Sequence, residues 1–165
     1  MKPVRKVVFP AESRLAARLP RATFHDAFEA PLENADLIAA AIAAAALRAS
    51  PHWVEALIRL RNAMSRPFGI RPVAPLGSVA ARDPAAWRPG DGFGMFTIES
   101  IDDAELVLGI DDAHLDVRIS FLRRPASYLI SSLVITHNRV GVAYMQPVRL
   151  VHPLLVILLM RELPI

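Results

Sequence analysis

The spacing of apolar residues changes along the chain and separates extended segments from helical ones. In residues 23–32, the aromatic residues Phe24 and Phe28 recur at a spacing that places them on one face of a strand together with Asp26. A period of two is typical of a strand with one buried face. The pattern therefore predicts a first β-strand over residues 23–32.

Two helices are predicted to follow this strand. The alanine-rich segment Ala35–Arg48 is the strongest helix former in the chain, and Asn34 is a suitable N-cap for it. A second helix is predicted from Pro51 to about Met64, because Ser50 can cap it and apolar side chains recur there at helical spacing. The segment Arg71–Gly92 is rich in Pro, Gly and Ala, which predicts a long loop, either a lid or an ordered surface strap.

Beyond this loop the apolar pattern returns to a period of two and predicts further strands. Short connections containing Asp or Arg separate the segments, so we expect the strands to form an antiparallel meander. The predicted strands are Phe93–Ser100, Glu105–Ile110, His114–Leu122 and Tyr128–His137, with Gly141–Met145 as a candidate fifth strand.

A final helix is predicted between Pro147 and Glu162. Its segment Leu154–Met160 is apolar on all sides, so we expect the rest of the protein to cover it on nearly every side. The segment is shorter than the stretch of about 20 apolar residues that a bilayer span needs. We therefore expect no membrane span, and the short apolar stretch Val7–Phe9 does not suit a signal peptide.

The order of these elements predicts an α+β fold. A curved antiparallel sheet would grip the C-terminal helix, with two helices after the first strand closing one end, which is the helix-grip arrangement. Such a fold usually leaves a cavity between the sheet and the helix. The alternative is an α/β sandwich without a cavity. We expect an N-terminal arm at residues 1–22, with at most a short strand at Val7–Phe9, and a single domain at residues 23–165.

Composition and charge exclude several functional classes. The 165 residues are 53% hydrophobic, which suits one globular core. No Cys is present, which excludes thiol catalysis and suits a reducing cytoplasm, where we expect this protein. The net charge is +3, but the cations are interleaved with acids, so we expect no nucleic-acid partner. The five His residues form no local pair, so we expect no metal site, and no cofactor motif is present.

Several stretches together resemble a bacterial family called domain of unknown function 2867. They are PHWVEALIRLRNAM at residues 51–64, LGIDDAHLDVRIS at 108–120, VITHNRVGVAY at 134–144, and the pair Val151 and His152. The resemblance covers about residues 23–162 and implies a helix-grip, START-like fold, whose members bind apolar ligands or catalyse cyclisations and isomerisations. The family itself has no assigned activity. The chain departs from the family pattern at Val151 and Pro153, so no role is assigned to His152.

The predicted strand His114–Leu122 has one polar and one apolar face. His114, Asp116 and Arg118 lie on the polar face together with Ser120. If this face borders a cavity, His114 would act as a general base oriented by Asp116, and Arg118 would anchor an anionic group. The alternative is a solvated ladder of ion pairs, which is common on antiparallel sheets.

Three functions are compatible with this sequence, which leaves open whether the protein is an enzyme. The first is binding of a small apolar or amphipathic molecule in the cavity between sheet and helix. The second is a cofactor-independent acid/base enzyme of isomerase or cyclase type. The third is a protein-interaction module, and an exposed edge strand would also allow a homodimer. The residues expected to contact a bound molecule are Leu115, Val117, Ile119, Leu133, Ile135, His137 and Tyr144.

Overall fold

A computed structural model describes residues 2–48 and 83–165, together with residues 59, 62, 63 and 66. Within this part of the chain, seven strands form one antiparallel sheet in the spatial order β1-β2-β7-β6-β5-β4-β3. The strands are β1 (Arg5–Lys6), β2 (Phe24–Pro31), β3 (Gly92–Phe93), β4 (Phe96–Ile101), β5 (Glu105–Asp111), β6 (Leu115–Arg123) and β7 (Ser127–Thr136). The described helices are α1 (Ala39–Arg48) and α2 (Arg139–Glu162), with 3-10 helices at Ala16–Arg21 and Pro84–Ala86.

The strands confirm the predicted α+β class and the predicted meander. Strands β4 to β7 are neighbours both along the chain and in the sheet. The predicted first strand is β2, which pairs with β7 from Phe24 opposite Val134 to Pro31 opposite Ser127. An open antiparallel sheet with a C-terminal helix is compatible with the helix-grip arrangement.

The first predicted strand of the meander is divided into two. β3 pairs with β4 around a tight turn in which Gly94 has φ 62°. This left-handed backbone favours glycine, because a side chain would clash with the backbone. The chain therefore reverses within the segment that alternation alone assigned to one strand.

Helix α2 begins earlier than predicted, and the candidate strand at Gly141–Met145 is wrong. Asn138 caps the helix, since its side-chain oxygen accepts a hydrogen bond from the backbone N–H of Gly141 at 3.1 Å. Pro147 lies inside the helix rather than at its start, and Pro153 lies inside it as well. The capping side chain starts the helix here and outweighs a short alternation of apolar residues.

Helix α1 begins at Ala39 rather than at the predicted Ala35. The side chain of Asn34 accepts a hydrogen bond from the backbone N–H of Asp36 at 3.0 Å, which forms a local turn instead of a helix cap. The second predicted helix, at residues 51–64, lies outside the described residues apart from positions 59, 62 and 63.

The described end of the predicted loop packs against the body of the protein. Trp87 is 2% exposed, and its ring meets that of Phe93 edge to face at 5.1 Å. This end behaves as the ordered strap that was the alternative to a lid. Residues 71–82 of the loop lie outside the described residues.

Helix α2 is less covered than predicted. Leu150 is 83% exposed and Leu154 is 57% exposed, so the expectation of cover on nearly every side is wrong. The helix residues that are buried are Gly141, Met145, Val156 and Met160. By length and composition alone α2 could cross a bilayer, a property that it shares with helices that pack on protein cores. Its packing against β2 and β7 is compatible with the expected absence of a membrane span.

The two faces of the sheet are covered by different parts of the chain. The helix face packs against α1 and α2 and includes Phe28, Phe121 and Ile130. The arm face packs against residues 7–22, where Phe9 and Leu15 contact core residues such as Leu133. The sheet is therefore buried on both sides over much of its area.

The N-terminal segment is attached to the arm face by a buried carboxylate. Glu105 accepts hydrogen bonds from the hydroxyls of Ser13 and Ser120 at 2.6 Å and from the backbone N–H of Arg14 at 2.9 Å. The short strand of the N-terminal segment is Arg5–Lys6, which pairs with β2.

The predicted strand at residues 7–9 is therefore wrong, because the strand lies at the two preceding positions.

Candidate functional site

The two faces predicted for β6 are confirmed by its packing. Leu115 and Phe121 belong to clusters on the helix face. Asp116 and Arg118 alternate with them and lie on the arm face, opposite Ile135 and Leu133 respectively. The polar set therefore does not face α2.

Arg118 is already paired within the protein. Its guanidinium lies 2.6 Å from carboxylate oxygens of both Glu99 and Asp111, and it donates a hydrogen bond to the backbone oxygen of Ile110 at 3.0 Å. Glu99 also pairs with Arg18 of the N-terminal segment at 3.1 Å. These contacts make Arg118 a structural link, with little capacity left to anchor an anionic substrate.

The predicted pairing of His114 with Asp116 is wrong. His137 Nε2 lies 2.9 Å from the Asp116 carboxylate, whereas His114 Nδ1 lies 3.0 Å from the side-chain amide nitrogen of Asn138. Asn138 in turn caps α2, so His114 belongs to the structure that holds the start of this helix. His114, Asp116 and Arg118 thus each contact a different partner.

The residues predicted to line a cavity are divided between the two faces of the sheet. Leu115, Val117 and Ile119 lie on the helix face, whereas Leu133 and Ile135 lie on the arm face. The reason is the register, which places Val117 opposite Val134 and Arg118 opposite Leu133. The two other predicted contacts also separate: His137 pairs with Asp116, and Tyr144 packs with Leu115, Val134 and Met145. These residues do not enclose a common cavity.

A depression of about 580 Å³ lies elsewhere, between α1 and the C-terminal residues. Leu37, Ala41 and Ala45 form its apolar wall, and Arg48 and Glu162 are among its polar residues. None of the residues predicted to bind a ligand lines it.

A cluster of three polar side chains lies between the sheet and α2, in a layer that is otherwise largely apolar. His152 lies on the side of α2 that faces the sheet, one turn from Val148 and one turn from Val156. On the sheet below, Asp26 of β2 and Ser132 of β7 are direct cross-strand partners. Three elements thus each contribute one polar side chain at the same place.

The imidazole of His152 bridges the other two side chains. Its Nδ1 lies 3.0 Å from Asp26 Oδ2 and its Nε2 lies 3.4 Å from Ser132 Oγ. An ionised carboxylate only accepts hydrogen bonds, so Nδ1 donates its N–H to Asp26, and in the neutral form of the ring Nε2 presents its lone pair to the serine hydroxyl. The ring of Phe24 meets the imidazole edge to face at 5.7 Å and fixes its plane. We call Asp26, Ser132 and His152 the interlayer triad.

Burial differs among the three residues. The Asp26 side chain is 1% exposed and the His152 side chain is 25% exposed, while Ser132 is 3% exposed. Asp26 Oδ1 has no hydrogen-bond partner among the described residues. His152 is therefore the member of the triad that solvent or a small molecule can reach.

The order carboxylate, imidazole, hydroxyl suits proton transfer better than acyl transfer. An acyl-transfer serine needs nearby N–H donors to stabilise an oxyanion. Ser132 lies in the middle of β7, which is paired with β2 on one side and with β6 on the other. The surrounding backbone N–H groups belong to these ladders, so the triad is best suited to moving protons.

Each member of the triad interrupts an apolar series in the sequence. Asp26 falls between Phe24 and Phe28, Ser132 between Ile130 and Val134, and His152 between apolar helix positions. A polar residue at a core-facing position is the sequence signal that could have identified these three residues. Their proximity depends on the pairing of β2 with β7, which no local pattern specifies.

Comparison with models of known protein families identifies the family of this chain. The fold is α+β, with an open antiparallel sheet and a C-terminal helix. A family model described as Protein of unknown function (DUF2867) matches residues 18–158, and the chain belongs to this family, as the resemblance predicted. The matched range includes the whole interlayer triad. Searches of curated proteins and of solved structures gave no match.

Proposed function

We propose that this protein binds a small, partly apolar molecule between the sheet and α2, with the interlayer triad as its polar contact. The observation that carries the proposal is the state of the buried Asp26 carboxylate. Its Oδ2 contacts the His152 imidazole, whereas its Oδ1 has no hydrogen-bond partner among the described residues. An accessible imidazole next to this carboxylate supplies polar groups for a ligand.

The energetics of burial favour a functional role for the triad over a purely stabilising one. Removing a carboxylate from water costs several kcal/mol, which a single partner side chain does not reliably recover. Apolar residues of similar size would pack this layer at lower cost. The presence of Asp26 and His152 here is therefore better explained by binding than by stability.

The surroundings indicate the chemistry of the ligand. Phe24 contacts the imidazole, and Val134, Met145 and Val148 form an apolar cluster beside it. A ligand with an apolar body and one or two hydrogen-bonding atoms matches this environment. Membership of the helix-grip, START-like superfamily, which we also propose, agrees with such a ligand.

Native mass spectrometry of protein purified from its natural source tests this function. We expect the wild-type protein to retain a small molecule and the double variant D26L/H152L to lose it, with circular dichroism showing that the variant is folded. His25→Leu is the matched control, because His25 lies beside Asp26 but outside the triad. Wild-type protein without any retained molecule, or retention by the double variant, would contradict the proposal.

The partly exposed pair of His137 and Asp116 supports a second candidate, acid/base catalysis at the edge of the arm face. Their side chains are 37% and 23% exposed and 2.9 Å apart, so solvent reaches both. The same mass-spectrometric experiment with H137L would assign the retained molecule to this pair if H137L, and not D26L/H152L, lost it.

A further inference from the structure

We infer that His152 is a general base, and that the interlayer triad moves a proton within a bound carbonyl compound that carries an acidic hydrogen next to its carbonyl group. The inference rests on the proposed binding site and adds a reaction to it. His152 would be the catalytic residue, because its Nε2 is the atom that contacts the substrate. Asp26 and Ser132 have supporting roles that their geometry defines.

Asp26 is a positioning residue for the imidazole. Its Oδ2 accepts the Nδ1–H of His152 at 3.0 Å, which keeps the lone pair on Nε2 and directs it into the layer between sheet and helix. When Nε2 takes up a proton, the carboxylate stabilises the imidazolium that forms. The low exposure of Asp26 strengthens this interaction, because water screens it little.

Ser132 occupies the place of the substrate in the resting protein. Its hydroxyl lies 3.4 Å from Nε2, which is at the long limit for a hydrogen bond, so a substrate hydrogen can displace it at little cost. The released hydroxyl is then free to donate to the carbonyl oxygen of the substrate. A donor at that oxygen stabilises the negative charge that develops when the neighbouring carbon loses its proton.

The proposed step balances without a further reactant. Nε2 takes the proton from the carbon next to the carbonyl, and the electron pair of the broken C–H bond moves into an enolate, whose negative charge rests mainly on oxygen. The imidazolium then returns a proton to a different atom of the substrate. The result is an isomerisation that consumes nothing, consistent with a site made only of protein side chains.

The partial exposure of His152 provides a direct test with a probe ketone. In D2O, an imidazolium that is 25% exposed exchanges its proton with solvent and returns deuterium to the carbon. We propose phenylacetone as the probe, since it is partly apolar and has an acidic CH2 group next to its carbonyl. Proton NMR follows the loss of the CH2 signal over time.

We expect the wild-type protein to accelerate this exchange and H152Q to return it to the buffer rate, a loss of roughly 10²- to 10⁴-fold for a general base. D26N should lower the turnover rate at least tenfold with little change in KM, because it misplaces the imidazole proton. His25→Gln is the control.

The outcomes separate this inference from the proposed function. A wild-type protein that retains a molecule in native mass spectrometry but does not accelerate exchange would keep the binding function and overturn the catalytic one. Acceleration that persists in H152Q and in H152N would place the base elsewhere and also overturn the inference. Thermal melts of each variant identify any loss of rate that is due to unfolding, and S132A, which keeps the base, should retain part of the activity.

Discussion

Gly141, in the first turn of α2, lies directly against the backbone of His114. A β-carbon at position 141 would clash with the His114 carbonyl oxygen. That oxygen accepts a hydrogen bond from the backbone N–H of His137 at 2.9 Å, so it cannot easily move away. The absence of a side chain at position 141 thus sets how closely α2 approaches the start of β6.

Gly141→Ala is expected to destabilise the protein despite the higher helix propensity of alanine. Overpacking against a fixed backbone atom typically costs about 1–3 kcal/mol, which exceeds the gain of up to about 1 kcal/mol from replacing a helical glycine. Urea denaturation measures the difference. Gly92→Ala is the control, because nothing lies within 4 Å of a β-carbon there, and a stabilised G141A would refute the predicted clash.

Loss of one hydroxyl should loosen the N-terminal segment from the arm face. Ser13→Ala removes a 2.6 Å hydrogen bond to the buried carboxylate of Glu105, which we expect to cost about 1–3 kcal/mol. Trypsin should then cleave faster after Arg14 and Arg18. Ser100→Ala serves for comparison, since no hydrogen bond of its side chain is seen in the described residues, and equal cleavage rates in both variants would rule out this role for Ser13.

Stability should fall in acid partly through Glu29. A hydrogen bond from the Ser127 hydroxyl, followed by those from Arg5 and Arg124, holds the pKa of the Glu29 carboxyl below its usual 4.5 despite its burial. A lowered pKa in the folded state means that its stabilising contribution is present above about pH 4.5 and is lost as the pH falls through the lower folded value. Urea denaturation between pH 3 and 7 measures the free energy of unfolding, which should fall less steeply in acid for Glu29→Gln than for wild type. Glu33→Gln, at an exposed carboxylate, should keep the wild-type slope.

The interlayer triad predicts an unusual pair of stability changes. His152→Leu leaves the buried Asp26 carboxylate without its partner and should cost about 3–5 kcal/mol. The double variant D26L/H152L removes both the carboxylate and the imidazole, so it should regain this loss or become up to about 4 kcal/mol more stable than wild type. A double-mutant cycle in urea measures both values. Additive effects of D26L and H152L would show that the two side chains do not interact.

The sequence predicted the parts of the fold that depend on local patterns. Alternation located β2 and the meander, and it assigned Asp116 and Arg118 to the opposite face from Leu115. It could not determine register, so Leu133 and Ile135 were grouped with residues that lie on the other side of the sheet. Cavity predictions from strand patterns need the register of each strand pair, which only turns and tertiary packing specify.

The candidate site was harder to predict, because it depends on contacts between distant residues. Asp26 and Ser132 meet only because β2 inserts beside β7, and His152 reaches them only because α2 continues through Pro147 and Pro153. Because of the departures from the family pattern at positions 151 and 153, no role was assigned to His152 from the sequence.

The pairing of β2 with β7 also affects how the protein is made. Phe24 lies opposite Val134, so β2 leaves the ribosome long before its partner strand β7 exists. Until then its exposed Phe24 and Phe28 form an unpaired apolar edge, which is a target for chaperones and for aggregation. The meander of β4 to β7 contains mostly local contacts and can form as soon as it is synthesised. Completion of the sheet, and with it the juxtaposition of Asp26 and Ser132, therefore waits for nearly the whole chain.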